Sequence, residues 1–248
     1  MALHPLATGF AAVADAYERG RPEYPPAVVG ALTAELGLDA GARVLDLAAG
    51  TGKLTRALLA AGLDVVAVEP QIELREKLIA SIGGENVLDG FAEAIPLTDR
   101  SVSAVMVADA FHWFDKPLAL AEMRRVLRPG GGLAVLTTLP DWSGASWAHE
   151  LGELIQRSRP AHPNFDGPSW QDAVRDSGAW AEPREIRITV SKPASPERLR
   201  DYVASISWIA SLSDHERAEM LERVDAILLA GETPAEMPLH IVLGLTAP

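Results

Sequence analysis

Apolar positions fall into two rhythms that alternate along the chain. Nearly continuous apolar runs occur at Val44–Leu47, Val65–Val68, Val102–Val107 and Leu133–Thr137. They lack the in–out alternation of a half-exposed strand and suit strands covered on both faces of a parallel sheet. Between them the apolar residues switch to helical spacing. Val28, Val29, Leu32 and Leu36 mark a helix over 26–37 behind Pro25 and Pro26. Leu54, Leu58 and Ala61 mark one from Lys53 to Ala61, and Leu74 and Leu78 another opened by Pro70 and Gln71. Leu120, Met123 and Leu127 mark a fourth, and Val87-Leu88 reads as a short extra strand. Strands alternating with helices predict an α/β protein with a doubly wound sheet.

Beyond residue 140 the order loosens. The spacing predicts helices near 145–158 and 169–177 on either side of a Pro-rich loop, then a strand near 184–190. Ser195-Pro196 opens a helix over 196–206 with Leu199, Tyr202, Val203 and Ile206 on one face. Ser213 and Glu216 have the spacing of a capping box, starting a helix over 213–230 with Met220, Val224 and Ile227. Leu239–Leu245 reads as the last strand, so 195–232 is expected to be a helical lid inserted between the last two strands.

The first strand runs into a turn of small residues, Ala48-Ala49-Gly50-Thr51-Gly52. Gly50 and Gly52 let backbone approach a ligand, and the free N–H groups at the following helix start favour polar ligand atoms. The second strand ends in Glu69, a carboxylate placed to accept both protons of a ribose diol. A nucleoside-bearing cofactor across the carboxyl edge of the sheet is therefore expected. The turn excludes two common cofactor classes. A dinucleotide fingerprint needs a third glycine where Thr55 stands, and a P-loop needs Gly at Leu47 and Ser or Thr at Leu54. Asp46 would repel phosphate and suits an ammonium group.

Strand-D-x-A-x-G-x-G followed by strand-E resembles the first two motifs of class I S-adenosylmethionine-dependent methyltransferases. The segment Tyr17-x-x-x-Arg21-Pro22-x-Tyr24-Pro25, the run Ala110-Phe111-His112-Trp113-Phe114 and the turn Arg128-Pro129-Gly130-Gly131 resemble the type 11, trans-aconitate methyltransferase-like subgroup acting on small molecules. The resemblance covers roughly 10–140. It implies a Rossmann-like seven-stranded sheet with an antiparallel last strand, as one domain whose 10–140 half binds the cofactor and whose 141–248 half faces the substrate. It also implies S-adenosyl-L-methionine as cofactor, with S-adenosyl-L-homocysteine as product. Around the cofactor it places Tyr17, Arg21, Asp46, Ala48, Gly50, Gly52, Glu69, Pro70, Phe91, Ala92, Glu93 and Ala108. Arg21 would pair the methionine carboxylate bidentately. Where the family shows an acidic residue after Gly90, this chain has Phe91, read as an apolar contact to adenine or as core; Ala92 N–H and Glu93 would supply the polar contacts.

Composition narrows the rest. A net charge of −12 argues against a nucleic-acid substrate, since phosphate binding needs a basic footprint. Zero cysteines leave no thiolate chemistry, and the six histidines lack metal-ligand spacing. No stretch reaches membrane-spanning length or forms a secretory leader, so a soluble cytoplasmic protein is expected. Nothing in the sequence specifies an oligomeric state. All six tryptophans lie after residue 112, which points to a bulky apolar pocket for a small-molecule acceptor. His112 is the candidate general base, with ordering of its own loop as the competing role. A protein of the same scaffold that binds the cofactor without transferring methyl is the alternative function.

Overall fold

The chain enters the computed structural model, which describes residues 3–143, 146–230 and 236–248, as a strap of short helices. These are α1 (Pro5–Thr8), a 3₁₀ turn at Gly9–Val13 and α2 (Ala14–Gly20), followed by α3 (Pro26–Glu35). The strand–helix alternation then appears as expected: β1 (Arg43–Leu47), α4 (Lys53–Ala60), β2 (Asp64–Val68), α5 (Ile72–Ile82), β3 (Val87–Leu88), β4 (Val102–Ala108), α6 (Lys116–Val126) and β5 (Leu127–Pro140). The second half adds α7 (Ser146–Arg157), α8 (Pro163–Asp166), α9 (Trp170–Ser177) and β6 (Arg184–Pro193). It ends with α10 (Pro196–Ala204), α11 (Ser207–Ala210), α12 (Asp214–Ala230) and β7 (Glu236–Thr246).

The seven strands form one sheet in the order β3-β2-β1-β4-β5-β7-β6. β1 to β5 run parallel, and β7 is antiparallel to both neighbours. The strands are buried because helices cover both faces. Leu32 of α3 and Leu58 of α4 pack on Val44, Met106 and Leu136. On the other face Leu120 and Met123 of α6 and Val174 of α9 pack on Leu45, Val105 and Leu133. Alternate residues of each strand feed alternate faces.

Three elements depart from the sequence expectation. The Arg128–Gly131 stretch is part of β5 rather than a turn before it, with a register shift between Val102 and Ala104. Gly130 sits at φ +80, and a Cβ at Gly131 would lie 2.7 Å from the Ser103 carbonyl oxygen, so the glycines serve an irregular strand pairing. The helix expected over 196–206 divides at Ser205. Its hydroxyl donates back to Tyr202 O at 2.7 Å, its carbonyl accepts from Arg21 Nη2 at 3.0 Å, and Ile206 turns extended. The inserted helices do lie between β6 and β7, but they are not an isolated cover. Leu199, Val203, Trp208, Ile209 and Val224 form a core with Trp147, Leu151 and Ile155 of α7, resting on Met237 and Leu239 of β7. Residue 145 of the expected helix and residues 231 and 232 of the expected insertion lie outside the described residues. The capping box forms as expected: Ser213 N–H donates to Glu216 Oε2 at 3.0 Å, and Glu216 N–H to Ser213 Oγ at 3.3 Å. Among the described residues no helix is long and apolar enough to cross a membrane.

Candidate functional site

The strand order reverses between β1 and β4, and the crevice outside their carboxyl ends is where an open α/β sheet binds ligands. The glycine turn builds its first wall. Ala48 and Gly50 both take φ +58, which turns Gly50 N–H onto Glu69 Oε2 at 2.8 Å. Gln71 N–H donates to the other oxygen at 2.8 Å. Glu69 thus ties the tips of β1 and β2 together, and burial pushes its carboxyl up to about 7 despite both donors. Asp46 is buried one turn deeper. Thr55 Oγ1 donates to its Oδ2 at 2.5 Å, while Oδ1 has no partner, and burial pushes this carboxyl up to about 6.

Two neighbouring cavities at the crevice take up the expected cofactor residues, with one exception. A cavity of about 100 Å³ is lined by Gly50, Glu69, Pro70, Phe91, Ala92 and Glu93. Asp46 lines a smaller cavity beside it, and Tyr17, Arg21, Ala48 and Ala108 line both. The exception is Gly52. It lines neither cavity; a Cβ there would run into Leu78 of α5, and φ is +88, so chain reversal and helix packing already require this glycine. Glu93 is also partly engaged, because its Oε1 accepts from Asp115 N–H at 2.8 Å.

The strap closes the crevice from above. Lys53 Nζ donates to Glu18 O and Glu23 Oε1, both at 2.6 Å, and Arg56 Nη2 donates to the same two glutamates. This cluster holds the strap against the start of α4. Arg21 follows, its guanidinium 5.3 Å from the Tyr17 ring centre and 5.0 Å from that of Tyr202. Its Nε donates to Ser205 Oγ at 2.9 Å. Opposite, β4 ends in Asp109 at φ +53. Asp109 Oδ1 accepts from Thr138 N–H at 2.8 Å and Oδ2 from Tyr24 Oη at 3.3 Å. Burial raises its carboxyl above the usual range.

A third cavity, about 340 Å³, opens on the far side of Asp109. It shares Phe10, Arg21, Asp109 and Trp113 with the first. Its walls are aromatic: Trp142, Trp170 and Trp208 line it, whereas Trp147 belongs to the helical core and Trp180 packs beside α9 and the sheet. His112 lies here on the 3₁₀ turn Phe111–Trp113. Burial and then His162 push its imidazole down to about 3. A histidine that stays neutral throughout the physiological range produces no titration step near pH 6.5, the signature expected of an ordinary histidine base. His162 is buried at the centre of the aromatic wall, with ring centres 4.9 Å from Trp113 and 5.4 Å from Trp208. Its Nδ1 accepts from Asn164 N–H at 3.2 Å, which leaves Nε2 to donate to Ser207 Oγ at 3.0 Å.

Asp109, Tyr24, Tyr202, Ser205 and His162 are site residues that sequence reasoning missed. Asp109 follows Ala108 directly and sits at a strand tip, so its position was readable. Tyr202 and Ser205 were unreadable as site residues because they reach Arg21 only through the packing of α10 on α2.

Residues 45–135 match the family model described as a methyltransferase domain. An uncharacterised methyltransferase of Mycobacterium tuberculosis is 41% identical over 227 residues, covering 90% of this chain and 86% of that protein. An inferred type II methyltransferase from Anaeromyxobacter dehalogenans superposes with a TM-score of 0.60 at 24% identity, covering 92% of this chain and 96% of that one. A Haemonchus contortus phosphoethanolamine N-methyltransferase, solved with phosphomonomethylethanolamine and S-adenosylhomocysteine, gives 0.55 at 14% identity over 96% of this chain and 57% of that one. With the crevice, the sheet order and these matches in agreement, this chain belongs to the class I S-adenosylmethionine-dependent methyltransferase family.

Proposed function

We propose that the chain transfers a methyl group from S-adenosyl-L-methionine to a small-molecule acceptor. The observation that carries this reading is the common wall of Arg21, Asp109 and Trp113 between a charged cavity at the glycine turn and an aromatic one beyond it.

The residues present fit that cofactor. The unpartnered Asp46 Oδ1 suits a nearby ligand ammonium, and Arg21 suits a carboxylate. Glu69 suits a ribose diol, with Phe91 and Ala92 on the adenine side. When bound, the sulfonium supplies an electrophilic methyl: the carbon–sulfur bond breaks as the bond to the acceptor forms, and sulfur keeps the electron pair. The protein's own part is alignment and exclusion of water. The strap and inserted helices cover the junction, Trp113 and Phe10 wall it, and the aromatic cavity orients the acceptor. Its concave aromatic lining and volume of about 340 Å³ support a small molecule rather than a macromolecular surface.

Calorimetry with S-adenosylmethionine, followed by incubation with methyl-labelled cofactor and a small-molecule extract, tests the proposal. Binding with label appearing in an extractable product is the expected result. Binding without transfer would favour the non-methylating alternative, and absence of binding would end the cofactor assignment.

A further inference from the structure

The aromatic cavity carries a charge pattern opposite to that of the molecule. The chain has 34 acidic against 22 basic residues, yet the charged side chains lining this cavity are Arg21, Lys116 and a single carboxylate, Asp109. Asp109 is engaged by Thr138 N–H and Tyr24 Oη at the cofactor end. Among the described residues, neither Arg21 nor Lys116 has a carboxylate within ion-pair distance, and Lys116 has no hydrogen-bond partner. Asp115, the neighbour of Lys116, directs its carboxylate to Leu118 N–H as a helix cap at 3.3 Å. On the proposed reading Arg21 belongs to the cofactor, so Lys116 is the cavity's remaining cation, with no ion-pair partner among the described residues and only the field of neighbouring Asp115 acting against its charge.

Lys116 is also the first residue of α6, an 11-residue helix whose N-terminal dipole adds positive potential at the same place. Partial burial pulls its ammonium below the usual lysine value, and the neighbouring Asp115 carboxylate offsets only part of that. The two cavity imidazoles bring no charge, since burial keeps His112 and His162 neutral above pH 5. The remaining walls are flat π-faces, edge-to-face at Trp113–His162 and Trp208–His162, which suit a planar body.

We infer that the acceptor is a planar, apolar carboxylate, its conjugated body held against Trp113, Trp142 and Trp208 and its negative group met by Lys116. This deepens the proposed methyl transfer and rests on it. Lys116 is a specificity-determining residue, and a cationic acceptor is rejected because two cations line the same cavity.

Three isosteric probes test it by calorimetry on protein saturated with S-adenosylhomocysteine: 2-naphthoate, 2-naphthylmethanol and 2-naphthylmethylammonium. Naphthoate is expected to bind at least about tenfold tighter than the alcohol, and the ammonium weakest. Lys116→Met should erase the preference for naphthoate over the alcohol, Lys116→Arg should keep most of it, and neither should change the melting temperature or homocysteine-cofactor affinity. Equal affinity for acid and alcohol, preference for the ammonium, absence of binding by all three, or an undiminished preference in Lys116→Met overturns the inference. The cofactor titration comes first: if S-adenosylhomocysteine fails to bind, the methyl-transfer reading itself falls and takes this inference with it. Cofactor binding without naphthoate preference removes only the inference.

Discussion

Asp46 and Glu69 carry ionisable groups into the interior at the tips of β1 and β2, and burial decides when they ionise. Both carboxyls hold their protons more tightly folded than unfolded, at about 6 against 3.8 and about 7 against 4.5. The folded state therefore binds more protons in that window, and the ligand-free protein should lose stability as pH rises from about 4.5 to 7. A cationic cofactor reverses the slope for binding, because it prefers the ionised carboxylates. S-adenosylmethionine affinity should rise between about pH 6 and 8, and Glu69→Gln should flatten most of that rise. Glu69→Ala should lose about 1.5–3 kcal/mol for each ribose hydrogen bond to the charged carboxylate. Calorimetry across pH checks both; affinity independent of pH in the wild type would remove Glu69 from the ribose site. His112 makes the opposite case. An imidazole held down at about 3 is a weak base, so His112→Gln should raise KM while kcat changes less than tenfold and stays level with pH from 6 to 8. A drop of about 10²–10⁴ in kcat would instead identify it as the general base.

At the scale of elements, glycines mark where backbones must touch. Gly20 ends α2 against the backbone of α10 at Asp201 and Tyr202, so a Cβ there would force the two helices apart. Arg19 and Asp201 form a two-pronged ion pair across the same contact, at 2.7 and 2.9 Å. Strap and inserted helices are thus joined, and they are expected to act together as the lid over both cavities. Hydrogen exchange in 196–204, 207–210 and 214–230 should slow together with residues 14–20 when cofactor product and acceptor are both bound. Equal protection with and without ligands would make the assembly a fixed wall. Gly52 acts through the fold. Valine at φ +88, against Leu78, should cost about 1–3 kcal/mol of stability. Thermal melting should therefore register Gly52→Val even without any cofactor, whereas a purely ligand-facing residue would leave the melt unchanged.

For the whole molecule, an adenine-bearing cofactor lacking phosphate should stabilise the fold and a dinucleotide should not. S-adenosylhomocysteine at a hundredfold excess over its Kd should add about 2.7 kcal/mol to unfolding, while NADH should leave the melting curve in place. Stabilisation by NADH would contradict the exclusion drawn from Thr55. That exclusion was legible in the sequence because the parts of the crevice that belong to the sheet are local. A buried parallel strand must read as a nearly continuous apolar run, and a βα turn that reverses tightly must carry small residues. Asp46, Ala48, Gly50 and Glu69 all fall within three residues of a strand end, so finding β1 and β2 located them. The same local logic recovered α3 to α6 and the capping box at Ser213. It did not reveal the contact of Gly52 with Leu78, because the sequence marks a demand for a small residue without saying whether a ligand or a side chain creates it. It ran the helix of α10 on to residue 206 and expected no helix at Ser207–Ala210, because the bond from Arg21 to Ser205 joins residues 184 apart. The sequence by itself determined the strand–helix order and the family, since each rests on periodicity or on a spacing of a few residues. Only the tertiary structure decided which tryptophans line the aromatic cavity, that burial holds the His112 imidazole down, and that Lys116 has no ion-pair partner among the described residues. Burial and electrostatic environment are sums over neighbours from every part of the chain, and no local pattern encodes such a sum.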